Sequence, residues 1–365
     1  MDTYFLLVPN IKNRYIKSVN IDKEILDTYL NYNIFKIILE KNNYKDVSNE
    51  DIRNIKKVSL MYIYGDIKYD KEIYNIKSKC KNLLKHETEQ SITNKENLYK
   101  NVEEMNKKSK TQIINMSKTY NIEEIDKLPE EKIYIIRPVG GYKGQEIKIV
   151  NNNEEFKEYK DKYLDIINDN KNKYTYIMKK IYKEGVIISE YINNPMLFKE
   201  KKFHLRCYMI IKYINNKWDY SIFDMFKILT AEEKYKKDDY LNKKIHDTHL
   251  GSTDKDYFGF EDFNEKNIKN YSKELKDRIK EQINKICGGI YYIAVKNGIE
   301  KYEEDDNAFE LFAPDIMIDE NGNCILIEVN NRVGTSFKMN NKNKVNKFTK
   351  NFFNWLLNET LFLIK

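Results

Sequence analysis

Near the carboxyl end, Phe309 to Asn330 reads F-E-L-F-A-P-D-I-M-I-D-E-N-G-N-C-I-L-I-E-V-N, which sets Asp315 ahead of a glutamate two residues before an asparagine, Glu328 and Asn330. Carboxylate and amide oxygens are the hard ligands that Mg²⁺ prefers, with nucleotide phosphates completing an octahedron. The chemistry on offer is therefore a divalent metal held on a polyphosphate. An isolated D…E-x-N also occurs on an ordinary solvated hairpin, so the surrounding elements have to decide. Leu311, Phe312, Ile316 and Ile318 predict one strand, Asp319-Glu320-Asn321-Gly322-Asn323 supplies turn chemistry, and Cys324 to Val329 form a second β-rich run. Residues two apart on a strand share a face, so Glu328 and Asn330 point the same way and Asp315 can reach them from the partner strand.

Two upstream segments fit the same chemistry. Ile133 to Ile149 reads I-Y-I-I-R-P-V-G-G-Y-K-G-Q-E-I-K-I, two apolar runs around a loop with Gly140, Gly141, Lys143 and Gly144. Strand, glycine loop and strand make a lid: glycine lets backbone N–H groups approach phosphate oxygens, and Arg137 and Lys143 bring positive charge. It is no P-loop, because it leads into the alternating Ile147-Lys148-Ile149 rather than a helix. Val186 to Ile211 then reads V-I-I-S-E-Y-I-N-N-P-M-L-F-K-E-K-K-F-H-L-R-C-Y-M-I-I. An apolar strand ends at Glu190-Tyr191-Ile192, and after an Asn-Asn-Pro turn a second strand sets Lys202, His204 and Arg206 on one face. Three basic groups at that spacing repel unless something anionic sits opposite, and a triphosphate meets the need.

In this order the segments resemble the ATP-grasp ligases, and in detail the tubulin tyrosine ligase-like family. R-P-V-G-G-Y-K-G is similar to the family's K-P-x-x-G-x-x-G loop, S-E-Y-I-N-N-P-M-L to its hinge, and K-F-H-L-R to its K-F-D-I/L-R. F-E-L-F-A-P-D-I-M-I-D and I-E-V-N-N match its metal segments, and Ile92 to Leu98 is similar to its T-R-K-D-x-L. The resemblance runs from about Ser91 to Asn331. It implies an ATP-grasp fold of α/β (α+β) class, antiparallel sheets with helices, beside a small N-terminal α/β lobe. ATP and Mg²⁺ are the implied cofactors. Lys95 would approach the distal phosphates, Arg137 the inner ones, and Gly140, Gly141, Lys143 and Gly144 would cover them. The backbone of Glu190, Tyr191 and Ile192 would line the adenine, and Lys202 would face the nucleotide. Arg206 would face the transferred phosphate, and Asp315, Glu328 and Asn330 would hold the metal. Arg206, Lys95 and Glu328 are the implied catalytic set. Three departures stand out. His204 replaces an aspartate that reaches the ribose, the acceptor-side H-L-T-N appears at most as His249-Leu250-Gly251-Ser252, and Leu229 replaces an arginine for which Lys227 is the nearest substitute.

Length and composition frame this centre. The 365 residues fit lobes at 1–90, 91–191 and 192–365. A helical pattern at Ile25 to Leu39 belongs to the first lobe. A polar helix from Glu154 to Ile167 belongs to the second. A strand pair (Phe203 to Tyr213; Trp218 to Leu229), a helix on Leu275, Ile279, Ile283, Ile286 and Ile290, and a closing helix on Phe348, Phe352, Phe353, Leu356 and Leu357 belong to the third. Asn/Lys-rich stretches at Thr230 to Lys244 and Asn340 to Asn346 read as mobile loops. Charged residues are 33% of the chain, with no apolar run near membrane-spanning length. Four scattered cysteines and the short Phe5-Leu6-Leu7-Val8 run, too short for a signal peptide, suit a reducing cytoplasmic setting, with the cytoskeleton if tubulin is the acceptor. The net charge of +7 comes from lysines spread through an Asn/Ile/Tyr-biased composition, without a nucleic-acid-binding signature. Lysine clusters at 179–183 and 234–244 would favour an acidic protein partner. The expected function is ATP-dependent addition of a free amino acid, glutamate (including polyglutamylation), glycine or tyrosine, to a protein such as tubulin. The alternatives are an ATP-grasp small-molecule kinase of the inositol phosphate kinase kind and an inactive nucleotide-binding adaptor.

Overall fold

The structure is a computed structural model that describes residues 4–8, 38–47, 57–63, 77–81, 86–141, 145–169, 173–253, 257–298, 307–331 and 342–363. The helix expected from Ile25 onward lies mostly outside the described residues, as do Lys143 and Gly144 of the glycine loop.

The N-terminal strands pair in parallel: β1 (Tyr4–Val8) with β2 (Lys45–Asp46) and with β3 (Lys57–Ile63), and β3 with β4 (Lys77–Lys81). Two helices follow, α1 (His86–Thr93) and α2 (Lys95–Ser109). Asn94 starts α2 by accepting hydrogen bonds from the N–H groups of Glu96 and Asn97, each at 3.1 Å, which satisfies donors a helix start leaves open. That cap sets Lys95 at the first turn.

The middle of the chain builds a four-stranded antiparallel sheet from β5 (Thr119–Asn121), β6 (Tyr134–Pro138), β7 (Lys148–Val150) and β8 (Val186–Glu190), in the order β5-β8-β6-β7. Helices α3 (Asn153–Ile167) and α4 (Tyr176–Tyr182) supply Phe156, Tyr159, Tyr163, Ile166 and Ile181 to its core.

The remaining strands are β9 (Leu197–Phe198), β10 (Lys201–Arg206), β11 (Met209–Ile214), β12 (Lys217–Ile222), β13 (Lys227–Thr230), β14 (Tyr257–Phe258), β15 (Ala308–Ile318) and β16 (Cys324–Asn330). Helices α5 (Lys243–His246), α6 (Lys273–Gly298) and α7 (Lys342–Asn358) complete the described elements. Each of the two long strands expected as a pair is broken: Cys207-Tyr208 separates β10 from β11 and residues 223–226 separate β12 from β13, giving four strands. The Asn340 to Asn346 stretch is corrected likewise, since residues 342–346 open helix α7. Ala308 of β15 pairs with Lys81 of β4 in parallel, so the N-terminal strands continue the C-terminal sheet.

Strand periodicity decides which face of that sheet does what. Phe203, Leu205, Met209, Ile211, Phe312, Ile316 and Ile318 pack with Ile279, Ile283, Ile286 and Ile290 of α6 in one core. Their alternates Tyr208, Ile210, Phe309, Leu311 and Ala313 pack with Phe348, Phe352 and Phe353 of α7 on the other side. Residues of odd number on β15 thus meet α7 as far as Ala313, and the next on that face is Asp315. By the same alternation Lys202, His204 and Arg206 of β10 leave the α6 core and share the face of Asp315.

Candidate active site

The turn Asp319 to Asn323 closes the acidic hairpin by local chemistry. The Asp319 carboxylate accepts from the N–H groups of Asn321 at 2.9 Å and Asn323 at 2.8 Å, and Gly322 takes a φ of +81°. Register then pairs Asp315 with Glu328 and Ala313 with Asn330. Ile316 pairs with Leu326, so Ile327 is an extra residue, a β-bulge. It lets Ile327 and Glu328 both stay half-buried between the buried Leu326 and Val329, where strict alternation would turn one of them inward. Bulges re-aim side chains beside functional sites, and this one points Glu328 at the same space as Asp315 and Asn330.

Asp315 is 2% exposed and holds Arg206 through a two-pronged pair, Nε to Oδ1 at 2.8 Å and Nη2 to Oδ2 at 2.7 Å. The Asn330 amide donates to Asp315 Oδ2 at 3.0 Å and to Glu328 Oε1 at 3.4 Å. An N–H₂ group spanning two carboxylates occupies the electrostatic position of a cation, and turning the amide would present its oxygen instead. The donor set is thus two carboxylates and an amide, which fits a hard divalent ion. Lys95 Nζ lies 3.5 Å from Glu328 Oε2 and donates to the carbonyls of Val139 at 3.3 Å and Gly141 at 3.4 Å. One ammonium therefore ties the glycine loop to the acidic hairpin. Arg137 donates to Ser189 Oγ at 3.1 Å and to the Ile327 carbonyl at 3.5 Å. Gly140 sits near the end of α4, where an added Cβ would meet the Ile181 carbonyl at 3.2 Å.

Electrostatics follow from these contacts. Burial and Asp315 push the Glu328 carboxyl up, yet Lys95, Arg137 and Arg206 together hold it below its usual range. Burial opposes the charge of Arg206, and Asp315 more than offsets it, so Arg206 titrates above its ordinary value. Burial, with His249 and Arg206 close by, keeps His204 well below the usual histidine range and hence neutral. Asp247 lifts His249 through a hydrogen bond.

The repulsion expected among Lys202, His204 and Arg206 is relieved within the protein. Asp315 neutralises Arg206, His204 is uncharged, and burial lowers Lys202 to about 7. Lys202 donates to the Tyr191 hydroxyl at 2.5 Å, and that hydroxyl meets His246 Nδ1 at 2.6 Å. Because an unfolded lysine titrates near 10.4, the unfolded chain binds more protons than the folded one between pH 7 and 10. Lys202 therefore makes stability rise with pH across that window, by up to about 1.4 kcal/mol per pH unit. Urea unfolding of wild type and Lys202→Met at pH 7.5 and 9.5 checks this: the variant should lose that slope, and equal slopes would exclude a neutral Lys202.

At the hinge, the N–H groups of Glu190 and Tyr191 bond the carbonyls of Lys118 and Ile133, each at 2.9 Å, whereas that of Ile192 has no partner among the described residues. The Glu190 carboxylate pairs with Lys132 at 3.2 Å. A cleft of about 600 Å³ opens here, lined by Lys132, Glu190, Tyr191, Ile192 and Ile325, and none of Asp315, Glu328 or Asn330 borders it. Lys227 stands directly opposite Arg206 in the β10–β13 register and shares its face. Sequence reasoning missed the partners brought by the 239–249 segment, His246, Asp247 and Thr248, which touch the site only through tertiary folding. Gly251 explains why that segment lies where it does: a Cβ there would meet the Ala231 carbonyl oxygen at 2.0 Å, so the close approach to β13 requires glycine.

The sequence profile of the Tubulin-tyrosine ligase family matches residues 74–361. A probable tubulin–tyrosine ligase of Schizosaccharomyces pombe is 29% identical over 164 residues, 44% of this chain and 38% of that protein. The probable tubulin–tyrosine ligase PBY1 of Saccharomyces cerevisiae is 26% identical over 245 residues, 57% of this chain and 31% of that protein. Tubulin glycylase 3F of Tetrahymena thermophila is 26% identical over 290 residues, 72% of this chain and 30% of that protein. The chain thus spans about a third of the length of the curated relatives it matches. The crystal structure of the C-terminal domain of K. lactis Pby1, an ATP-grasp enzyme interacting with the mRNA decapping enzyme Dcp2, superposes with a TM-score of 0.63 at 16% identity, covering 99% of this chain and 95% of that one. That likeness establishes an ATP-grasp fold of mixed helices and antiparallel sheets.

Proposed function

This chain belongs to the tubulin-tyrosine ligase family, and from that premise we propose that it is an ATP-dependent carboxylate–amine ligase that joins a free amino acid to a protein acceptor. The observation that carries this reading is the convergence of Asp315, Glu328 and Asn330 with Arg206 and Lys95 beneath the glycine loop. Asp315, Glu328 and Asn330 would hold Mg²⁺, which when bound would neutralise phosphate charge and polarise the transferred phosphoryl group. An acceptor carboxylate oxygen forms a bond to the γ-phosphorus as the bond to the β-γ bridging oxygen breaks, and ADP leaves. The amine of the second substrate, having shed its proton, then attacks the acyl carbon and phosphate departs. Arg206 and Lys95 stabilise the charge that gathers in both steps, which is mostly a matter of positioned electrostatics.

Arg206 is engaged by Asp315, so contact with a phosphate requires that the pair loosen, with an incoming cation taking the guanidinium's place on Asp315. The free N–H of Ile192 suits an adenine edge, and Lys202, poised near neutrality, gains charge beside an anion. Glutamate, glycine and tyrosine are candidates for the added residue, and tubulin or another acidic protein for the acceptor. The glycylase relative favours tubulin, and the Pby1 neighbour is described by a decapping-enzyme interaction, so other acceptors belong in the test. Two lysines of the basic 234–244 stretch are paired locally, Lys234 with Glu200 and Lys244 with Glu232, which reduces the field available to steer an acidic tail.

The test is to offer each labelled amino acid with ATP and Mg²⁺ to microtubules, free tubulin and whole lysate. A labelled protein band with one ADP released per residue added is expected. Release of AMP and pyrophosphate, or phosphate transfer to a stable hydroxyl with no amino acid incorporated, would refute the ligase reading.

A further inference from the structure

The face that carries Asp315 also carries two imidazoles. His204, His249 and Asp315 each offer a ligand atom, and the three atoms lie within 4.8 Å of one another. His204 Nε2 is 3.6 Å from Asp315 Oδ2, too long for a hydrogen bond, and it is buried with no hydrogen-bond partner among the described residues. An orphaned buried ring nitrogen costs free energy unless something else serves it. The other nitrogen of the same ring, Nδ1, lies 2.6 Å from Thr248 Oγ1. In His249, Nδ1 lies 3.2 Å from Asp247 Oδ1. Imidazoles that ligate metals are oriented as His204 is, with one ring nitrogen held by a hydroxyl, carbonyl or carboxylate while the other faces the ion.

We propose that His204, His249 and Asp315 form a binding site for a borderline first-row divalent ion of the Co²⁺ and Zn²⁺ class, sharing Asp315 with the all-oxygen set that suits Mg²⁺ and differing from it by two nitrogen donors. Two imidazoles and one carboxylate are a preferred donor set for such ions and leave coordination positions open. Ligand atoms about 2.1 Å from one ion at a tetrahedral angle stand about 3.4 Å apart, and the His204–Asp315 pair at 3.6 Å has that spacing. The widest pair, within 4.8 Å, must close by up to about 1.4 Å to share an ion. His249 can supply that movement, since its side chain is 44% exposed while those of the other two are 3% exposed. Binding would draw on the carboxylate that Arg206 now holds, so the ion and the Arg206–Asp315 pair compete.

The whole 365-residue chain, freed of metal, is titrated with Co²⁺, followed by its ligand-field absorption, and then challenged with Zn²⁺ and Mg²⁺, all without nucleotide, amino acid or acceptor. One Co²⁺ per chain is expected, with nitrogen and oxygen ligation, displaced by Zn²⁺ and not by Mg²⁺. His204→Gln and His249→Gln should each weaken binding by at least about 100-fold and Asp247→Asn by about 10-fold. His246→Gln, whose ring turns to Tyr191, should bind as wild type. Wild-type uptake by both ligand variants, thiolate charge-transfer bands, or no uptake by the wild-type chain would overturn the proposal. If His204→Gln does not fold, the exposed His249 and its partner Asp247 still decide the question. Since the readout needs no ligation, its failure leaves the ligase reading untouched, and loss of ligation does not bear on it.

Discussion

Glu328→Gln should lower the ATP-dependent turnover of this protein by about 10²–10³-fold, the loss typical when one preorganised charge-stabilising group is removed. The substitution keeps the shape of the side chain and its place on the bulge. It removes one of two carboxylates that converge on Asn330 and the anion that faces Lys95 at 3.5 Å. Two effects then add. The donor set loses charge, so the divalent ion should be required at higher concentration, and Lys95 is free to settle on the Val139 and Gly141 carbonyls alone. The measurement is ADP formation against Mg²⁺ concentration for wild type and variant, with melting temperature as a control for folding. Wild-type turnover at ordinary Mg²⁺ would remove Glu328 from the reaction and the ligase mechanism with it.

Arg206→Met should destabilise the fold by about 3 kcal/mol, because it leaves the buried Asp315 carboxylate without its partner. The figure sits at the lower end for broken buried pairs since the Arg206 side chain is 23% exposed and Asn330 still donates to Asp315. Adding Asp315→Asn in the same chain should recover most of the loss, as removing both charges of a buried pair costs far less than removing one. Urea unfolding of the two single variants and the double variant checks this. Additive losses would mean that the two residues do not act as a pair.

Much of this architecture was legible from local pattern. The acidic hairpin could be read because its turn residues are specific and its side chains alternate with period two. The helices α6 and α7 could be read from three- and four-residue apolar spacing, since their apolar stripes face cores. The break of the two paired strands at Cys207-Tyr208 and at residues 223–226 was not legible, because Phe223 and Phe226 are as apolar as strand residues and are buried for a different reason, packing against α7 and Phe260.

The sequence alone determined the order of the elements, the membership of the Asp315, Glu328 and Asn330 trio and the side of each strand its members occupy, because these depend on interactions within a few residues. Only the tertiary structure decided how the charges are used. Arg206 meets Asp315 across 109 residues, Lys95 reaches Glu328 and the glycine loop from the head of α2, and Thr248 arrives at His204 from a loop held to β13 by Gly251. Whether a buried lysine is neutral, or a histidine lacks a partner, depends on the dielectric and donors that distant segments bring. Those segments meet only when the whole chain has folded.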